Sequence, residues 1–167
     1  MLIIMAGLPG TGKTTLARLL VANLGAVLLR ADSIEQSIRD ATGEPLQGPE
    51  GYAAGYAVAA DNLRLGLSVV ADTVNPWPLT RDAWRDVGLA AGVPVAEVEV
   101  ICSDVDEHRA RVESRTSDIP GFRLPTWHEV LDRDYKPWTR DRIVIDTAGR
   151  APDACLAEIM RSQAIGR

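Results

Sequence analysis

The chain has 167 residues, 46% of them hydrophobic and 25% charged, with a formal net charge of −5. A chain of this size is most simply one domain with a sizeable core. Its acidic balance speaks against nucleic-acid binding by bulk electrostatics, and no apolar run suits a signal peptide or a membrane span, so the cytoplasm is the expected compartment.

Leu2–Ala6 is a short continuous apolar run, as expected of a strand buried on both faces. After it, Gly7-Leu8-Pro9-Gly10-Thr11-Gly12-Lys13-Thr14 satisfies G-x-x-x-x-G-K-[ST] at every fixed position. A helix follows, because Thr15 to Leu24 is apolar at helical spacing and Gly25 supplies a stop. That is the context phosphate binding requires. Glycines let backbone N–H groups turn inward, and the helix N-terminus adds the positive end of its dipole. The segment Gly7 to Thr15 therefore reads as a cradle for ATP, with Lys13 on the β- and γ-phosphates and the Thr14 hydroxyl on Mg²⁺. A Gly-rich turn with unrelated lysine and threonine is the plain alternative.

Ala26–Leu29 is a second strand, and Asp32-Ser33-Ile34-Glu35 opens a helix with an acidic N-cap and a glutamate three residues on. Thr42 to Gly51 is loop, and a helix from Tyr52 to Leu65 leads to a strand over Leu67–Ala71 that ends at Asp72. Thr80 is expected to cap a helix running to Ala91. There follow a strand over Val95–Ile101, a charged segment from Asp104 to Arg123, a helix from Thr126 to Tyr135, a strand over Ile143–Ile145 and a last helix. Such alternation specifies an α/β three-layer sandwich around a five-stranded parallel sheet with helices on both faces. With no repeat or linker, residues 1–167 read as one domain. Cys102 and Cys155 lie far apart, outside any CxxC or metal-ligand spacing, and read as two reduced thiols.

Ligands bind outside the carboxyl ends of parallel strands, and two carboxylates fall there. Asp72 suits a direct or indirect Mg²⁺ partner, or else caps the loop after its strand. Asp32 suits a general base for an acceptor hydroxyl, or else is only a helix N-cap. His108, Arg109, Arg111 and Arg115 lie on a charged helix leading into a turn-rich stretch, where a lid over about 103–123 would bring guanidinium groups to the phosphates. Interleaved Asp104, Asp106, Glu107 and Glu113 make a solvated face of ion pairs the competing reading. Trp77, Tyr52 and Tyr56 either line an acceptor pocket or belong to the core.

On these residues the chain resembles the small P-loop kinases of the AAA_33 type, related to the polynucleotide kinase phosphoryl-transfer domain and the zeta-toxin group. GLPGTGKTTLA, RADSIEQSIR, GLSVVADT, Arg81, and the pair Arg111 and Arg115 occur in the family's order. The resemblance implies the P-loop NTPase fold with sheet order 2-3-1-4-5. It implies Asp32 as general base, Lys13 and Arg115 on the transferring phosphoryl group, and Asp72 positioning acceptor or metal, with Arg39, Trp77 and Arg81 as further acceptor-binding candidates. Relatives commonly place an arginine three residues after the base, where it holds an acceptor phosphate. Here Glu35 stands there, with Arg39 one turn on. That departure favours a neutral or basic small-molecule acceptor over a nucleic-acid end.

Asp146-Thr147-Ala148-Gly149 imitates the D-x-x-G of GTPases but lies 133 residues beyond Lys13 (146 − 13), and no N-K-x-D occurs. The end of the fifth strand faces the base in small kinases, so Thr147, Gly149 and Arg150 read as an adenine-contacting loop. The first reading is an ATP-dependent kinase acting on a small-molecule hydroxyl, as monomer or homodimer. A polynucleotide or nucleotide 5′-kinase and an ATP-binding regulatory module are the rivals. Without a guanine motif, ATP should displace a fluorescent nucleotide from the protein at lower concentration than GTP. Tighter GTP binding would restore the GTPase reading of Asp146 to Gly149.

Overall fold

The computed structural model describes residues 1–162 and 165. The elements are β1 (Leu2–Ala6), α1 (Lys13–Leu24), β2 (Val27–Arg30), α2 (Ala31–Thr42), α3 (Glu50–Arg64) and β3 (Val69–Asp72). They continue as α4 (Pro78–Ala90), β4 (Val95–Ile101), α5 (Val105–Ser114), α6 (Trp127–Leu131), β5 (Ile143–Asp146) and α7 (Pro152–Arg161). The five strands form one parallel sheet in the order β2-β3-β1-β4-β5. The fold is the three-layer α/β sandwich that the alternation of elements implied.

The central strand explains the layers. Every residue of β1 is fully buried, and its side chains alternate between two separate cores. Ile3 and Met5 join Leu16, Leu20, Val98, Val100 and Ile159 on the face covered by α1 and α7. Leu2 and Ile4 join Leu29, Leu63, Val69 and Trp84 on the face covered by α3 and α4. A strand with two apolar faces can only lie between two layers. Tyr52 and Tyr56 pack against the second core, Tyr56 edge-on to Trp84 at 4.7 Å between ring centroids, so both are core residues.

Some boundaries differ from the sequence expectation for local reasons. α2 starts at Ala31 with Arg30 in the N-cap position and no side-chain cap, so Asp32 lies inside the first turn and does not cap the helix. α4 starts at Pro78 after Trp77, and Thr80 lies within it, its hydroxyl donating to the Trp77 carbonyl at 3.0 Å. Proline at the first helical position is preorganised for that start. β3 begins two residues later than expected, because the Leu67 N–H closes the end of α3 on the Asn62 carbonyl at 3.1 Å. α6 ends at Leu131, and the chain beyond it runs as loop to β5.

Arg81 is what holds that loop. It is 2% exposed, and its guanidinium donates to the carbonyls of Asn75 (2.8 Å), Pro76 (3.2 Å), Lys136 (2.7 Å) and Pro137 (3.2 Å). It also stacks over Trp138, 4.2 Å from the ring centroid. Its donors are directed at backbone, so its reading as an acceptor-binding residue is corrected: Arg81 is a structural clamp. Arg81→Ala should lower the unfolding free energy by on the order of 3 kcal/mol, since buried carbonyls lose a charged donor. Arg81→Lys should not restore it, because one ammonium cannot reproduce a planar fork. Urea denaturation of the two variants checks both statements.

Candidate active site

The phosphate loop begins where β1 runs out of room. Gly7 has φ +133°, and a Cβ there would collide with the carbonyl oxygen of Val100 on β4. Gly10, at φ +88°, passes so close to Val112 and His108 that a side chain would strike α5. Gly12, at φ +97°, is the N-cap of α1. The loop is held from outside as well. His108 Nε2 donates to the Pro9 carbonyl at 2.9 Å, and the Thr147 hydroxyl donates to the Thr11 carbonyl at 2.9 Å.

Lys13 is 8% exposed and its Nζ donates to the Leu8 carbonyl at 2.9 Å. Burial pushes its ammonium down to about 8, against the pull of Asp72 and Asp32. An ammonium in that position suits a ligand with concentrated negative charge. Asp72, 5% exposed, accepts the Thr14 hydroxyl at 2.7 Å. Burial raises its pKa, while Lys13 and Thr14 pull it down.

That hydroxyl and carboxylate fit the donor set of Mg²⁺, which takes one or two protein oxygens and completes its shell with phosphate and water. Among the described residues no cluster of three or more His, Cys, Asp or Glu offers a cage for a metal by itself.

A cavity of about 590 Å³ opens at the carboxyl ends of the strands. Of the residues singled out in the sequence, it is lined by Pro9, Gly10, Gly12, Lys13, Thr14, Thr15, Asp32, Asp72, Arg111, Arg115, Thr147 and Arg150. Gly7, Leu8 and Thr11 shape the loop from behind. Gly149 lies outside the lining; it supplies a turn at φ +63°, its N–H donating to Glu107 at 2.8 Å.

The lid arginines differ in their commitments. Arg111 donates to Thr147 Oγ1 (2.8 Å), the Thr147 carbonyl (3.0 Å) and Glu107 (2.5 Å), tying α5 to the loop after β5. Arg150 is held by Glu158 and the Asp146 carbonyl. Arg109 pairs with Glu113 on the solvent face. Arg115, at the end of α5, has Nε and Nη2 buried with no hydrogen-bond partner. It is the lid arginine with donors to spare.

Two further expectations are corrected. Trp77 is 46% exposed, its Nε1 donates to Asp134 at 3.1 Å, and it does not line the cavity. Arg39 pairs with Glu35 at 3.2 Å, and neither lines the cavity. Glu35 is paired along its own helix and does not line the cavity, so the argument from it for a neutral or basic acceptor is weakened. Conversely, Arg18, Arg30 and Arg133 line the cavity and were not anticipated. Arg30 ends a parallel strand and was findable by that rule; Arg133 follows a short helix in a loop, and no pattern marks it.

The sheet order and the phosphate loop together define a P-loop kinase-like fold. A family model described as an AAA domain (AAA_33) matches residues 2–131, and the chain belongs to that family. Among solved structures, a candidate kinase from Chloroflexus aurantiacus is similar at 22% identity and TM-score 0.72, covering 96% of each chain. A gluconokinase from Sinorhizobium meliloti is similar at 19% identity and TM-score 0.64, covering 98% of this chain and 89% of that one. The Mycobacterium tuberculosis APS kinase CysC, solved with AMPPNP and APS, is similar at 18% identity and TM-score 0.63, covering 95% and 94%. No curated protein sequence matches significantly.

Gly7→Ala tests the loop geometry. Positive φ and a clash with backbone, which cannot rotate away as a side chain can, should cost roughly 2–4 kcal/mol of stability. Gly25→Ala, at φ +61° with open space around it, should cost about 1 kcal/mol. Comparing the two by thermal unfolding isolates the clash.

Proposed function

We propose that the protein is an ATP-dependent phosphotransferase that moves the γ-phosphate of ATP to a hydroxyl of a small-molecule acceptor. The observation that carries this reading is the convergence of Lys13, Thr14, Asp32, Asp72 and Arg115 on one cavity at the carboxyl ends of the sheet. A module that only bound ATP would need the first two and Asp72; a carboxylate and a free guanidinium opposite them suit transfer. The likeness to structures of a gluconokinase and an APS kinase supports the same reading.

In this mechanism the backbone N–H groups of residues 7–14 and the Lys13 ammonium hold the β- and γ-phosphates. Thr14 and Asp72 would hold Mg²⁺, which when bound neutralises phosphate oxygens. Asp32, in the first turn of α2, orients the acceptor hydroxyl and takes its proton as the oxygen attacks phosphorus. The phosphoryl group passes from the ADP oxygen to the acceptor oxygen, so one P–O bond breaks as another forms. Arg115 meets the charge on the transferring oxygens, and the lid above it excludes water that would otherwise be the acceptor. Thr147 and Arg150 border the nucleotide on the β5 side.

Because Asp32 does not cap α2, its substitution separates chemistry from folding cleanly. Asp32→Asn gives up an acid near a helix N-terminus, a loss of no more than about 1 kcal/mol. It also removes the proton acceptor, so transfer should slow by at least about a hundredfold. The assay is transfer from labelled ATP across sugars, sugar acids, nucleosides and nucleotides, with AMPPNP affinity measured beside it. A variant that folds, binds AMPPNP and transfers at the wild-type rate removes Asp32 from the mechanism.

A further inference from the structure

The cavity is strongly basic in a chain of net charge −5. Its lining holds Lys13 and six arginines but only three carboxylates. Part of that excess is internally balanced, since Arg111 pairs with Glu107 and Arg150 with Glu158. What remains is concentrated at one end. Arg30, Arg115 and Arg133 line that end together with Asp32; Arg30 Nε also lies 3.9 Å from Asp72, which accepts from Thr14, and its Nη1 pairs with Asp118.

The place of that cluster separates it from the phosphate cradle. The cradle begins at the end of β1, and in the sheet order β3 lies between β1 and β2. Arg30 is in register with Asp72 of β3, which is in register with Met5 of β1. Two strand spacings put the Arg30 backbone about 10 Å from the line of β1. Thr147 and Arg150, by contrast, follow β5 at the other edge. The cavity thus runs from the β5 loop, past the cradle, to the Arg30 and Asp32 end.

Three observations show that this end is built for an anion. Arg115 Nε and Nη2 and Arg30 Nε are buried without a hydrogen-bond partner. Burial lowers the pKa of Arg115 against the pull of Asp32, and the charges of Arg133 and Arg30 bear on it in the same direction as burial. Like charges crowded in a partly buried space are costly until a counter-charge joins them. Finally, Arg30 takes a carboxylate already: the lid residue Asp118 accepts from Arg30 Nη1 at 2.8 Å and from Arg18, which together hold its carboxyl down to about 2.

We infer that Arg30 and Arg133, with Arg115 in reach of both, form an oxyanion subsite for the acceptor, which therefore carries a phosphate or carboxylate besides the hydroxyl it presents to Asp32. This rests on the kinase reading above and narrows its substrate class. It reverses the expectation drawn from Glu35, which pairs with Arg39 and lies outside the cavity lining, although the charges of Asp32 and Arg133 reach it.

The test is calorimetric titration of the protein saturated with AMPPNP and Mg²⁺, so that the cradle is filled, at constant ionic strength. The probes are inorganic phosphate and acetate, with glucose as neutral control. One saturable site for phosphate or acetate is expected, and which anion binds tighter tells phosphate from carboxylate. Arg30→Ala and Arg133→Ala should each weaken it by about tenfold or more, as loss of a charged hydrogen bond does. Arg133→Lys should retain part of the affinity. Arg133 is exposed, so its variant keeps the test open even where Arg30→Ala fails to fold.

Absence of saturable binding by both anions, or binding that neither arginine variant weakens, overturns the subsite. Failure of AMPPNP to bind would count against the kinase reading instead. Titration of the nucleotide-free protein against Arg133→Ala then decides the subsite by itself, weaker binding in the variant supporting it and equal binding refuting it.

Discussion

The closeness with which Gly7 passes the Val100 carbonyl is the constraint on which the site depends. β1 is buried on both sides and flanked by β3 and β4, so the chain leaving it has no lateral freedom. Without a Cβ, residue 7 turns against β4, the Gly7 N–H reaches the Val74 carbonyl at 3.1 Å, and α1 starts over the end of the sheet. That start brings Thr14 to Asp72 and buries Lys13 beside it. A phosphate cradle is thus a consequence of how tightly the central strands pack.

The loop is also reached from the far side of the sheet. His108 on α5 and Thr147 after β5 each donate to a carbonyl of the phosphate loop, and Arg111 joins α5 to Thr147. The loop, the lid helix and the β5 loop therefore form one hydrogen-bonded unit. Such a unit keeps the cradle in shape, and the segment after α5 is tied to the body in addition by Asp118 and its two arginines.

Arginine serves two opposite ends in this chain, and burial alone does not distinguish them. Arg81 is among the most buried side chains, yet each of its nitrogens meets a backbone carbonyl, so it is finished as a structural residue. Arg140 and Arg142 are similarly consumed by Glu97 and Glu99, buried acids on β4. Arg115 and Arg30 are less buried overall but keep nitrogens with no partner. In a chain where only Lys13 and Lys136 are lysine, it is the presence or absence of hydrogen-bond partners, not position in sequence, that separates these arginines.

Features announced by a local pattern of residues were legible in the sequence. The apolar β1 run, the spacing of Gly7, Gly12, Lys13 and Thr14, and the strand–helix alternation dictate the parallel sheet and its cradle, because each is enforced by local geometry and by burial of both faces. The place of Asp72 in the cavity lining was legible because clefts of parallel sheets open at the carboxyl ends of the strands. What the tertiary structure decided depends on pairs distant in the chain. Arg81 is bound by carbonyls 55 and 56 residues away, which no motif reports. Asp118 meets Arg30 across 88 residues. Glu35 and Asp32 are three residues apart, yet one lines the cavity and the other turns to Arg39, because a helix in contact with its neighbours has an inside and an outside that composition does not reveal.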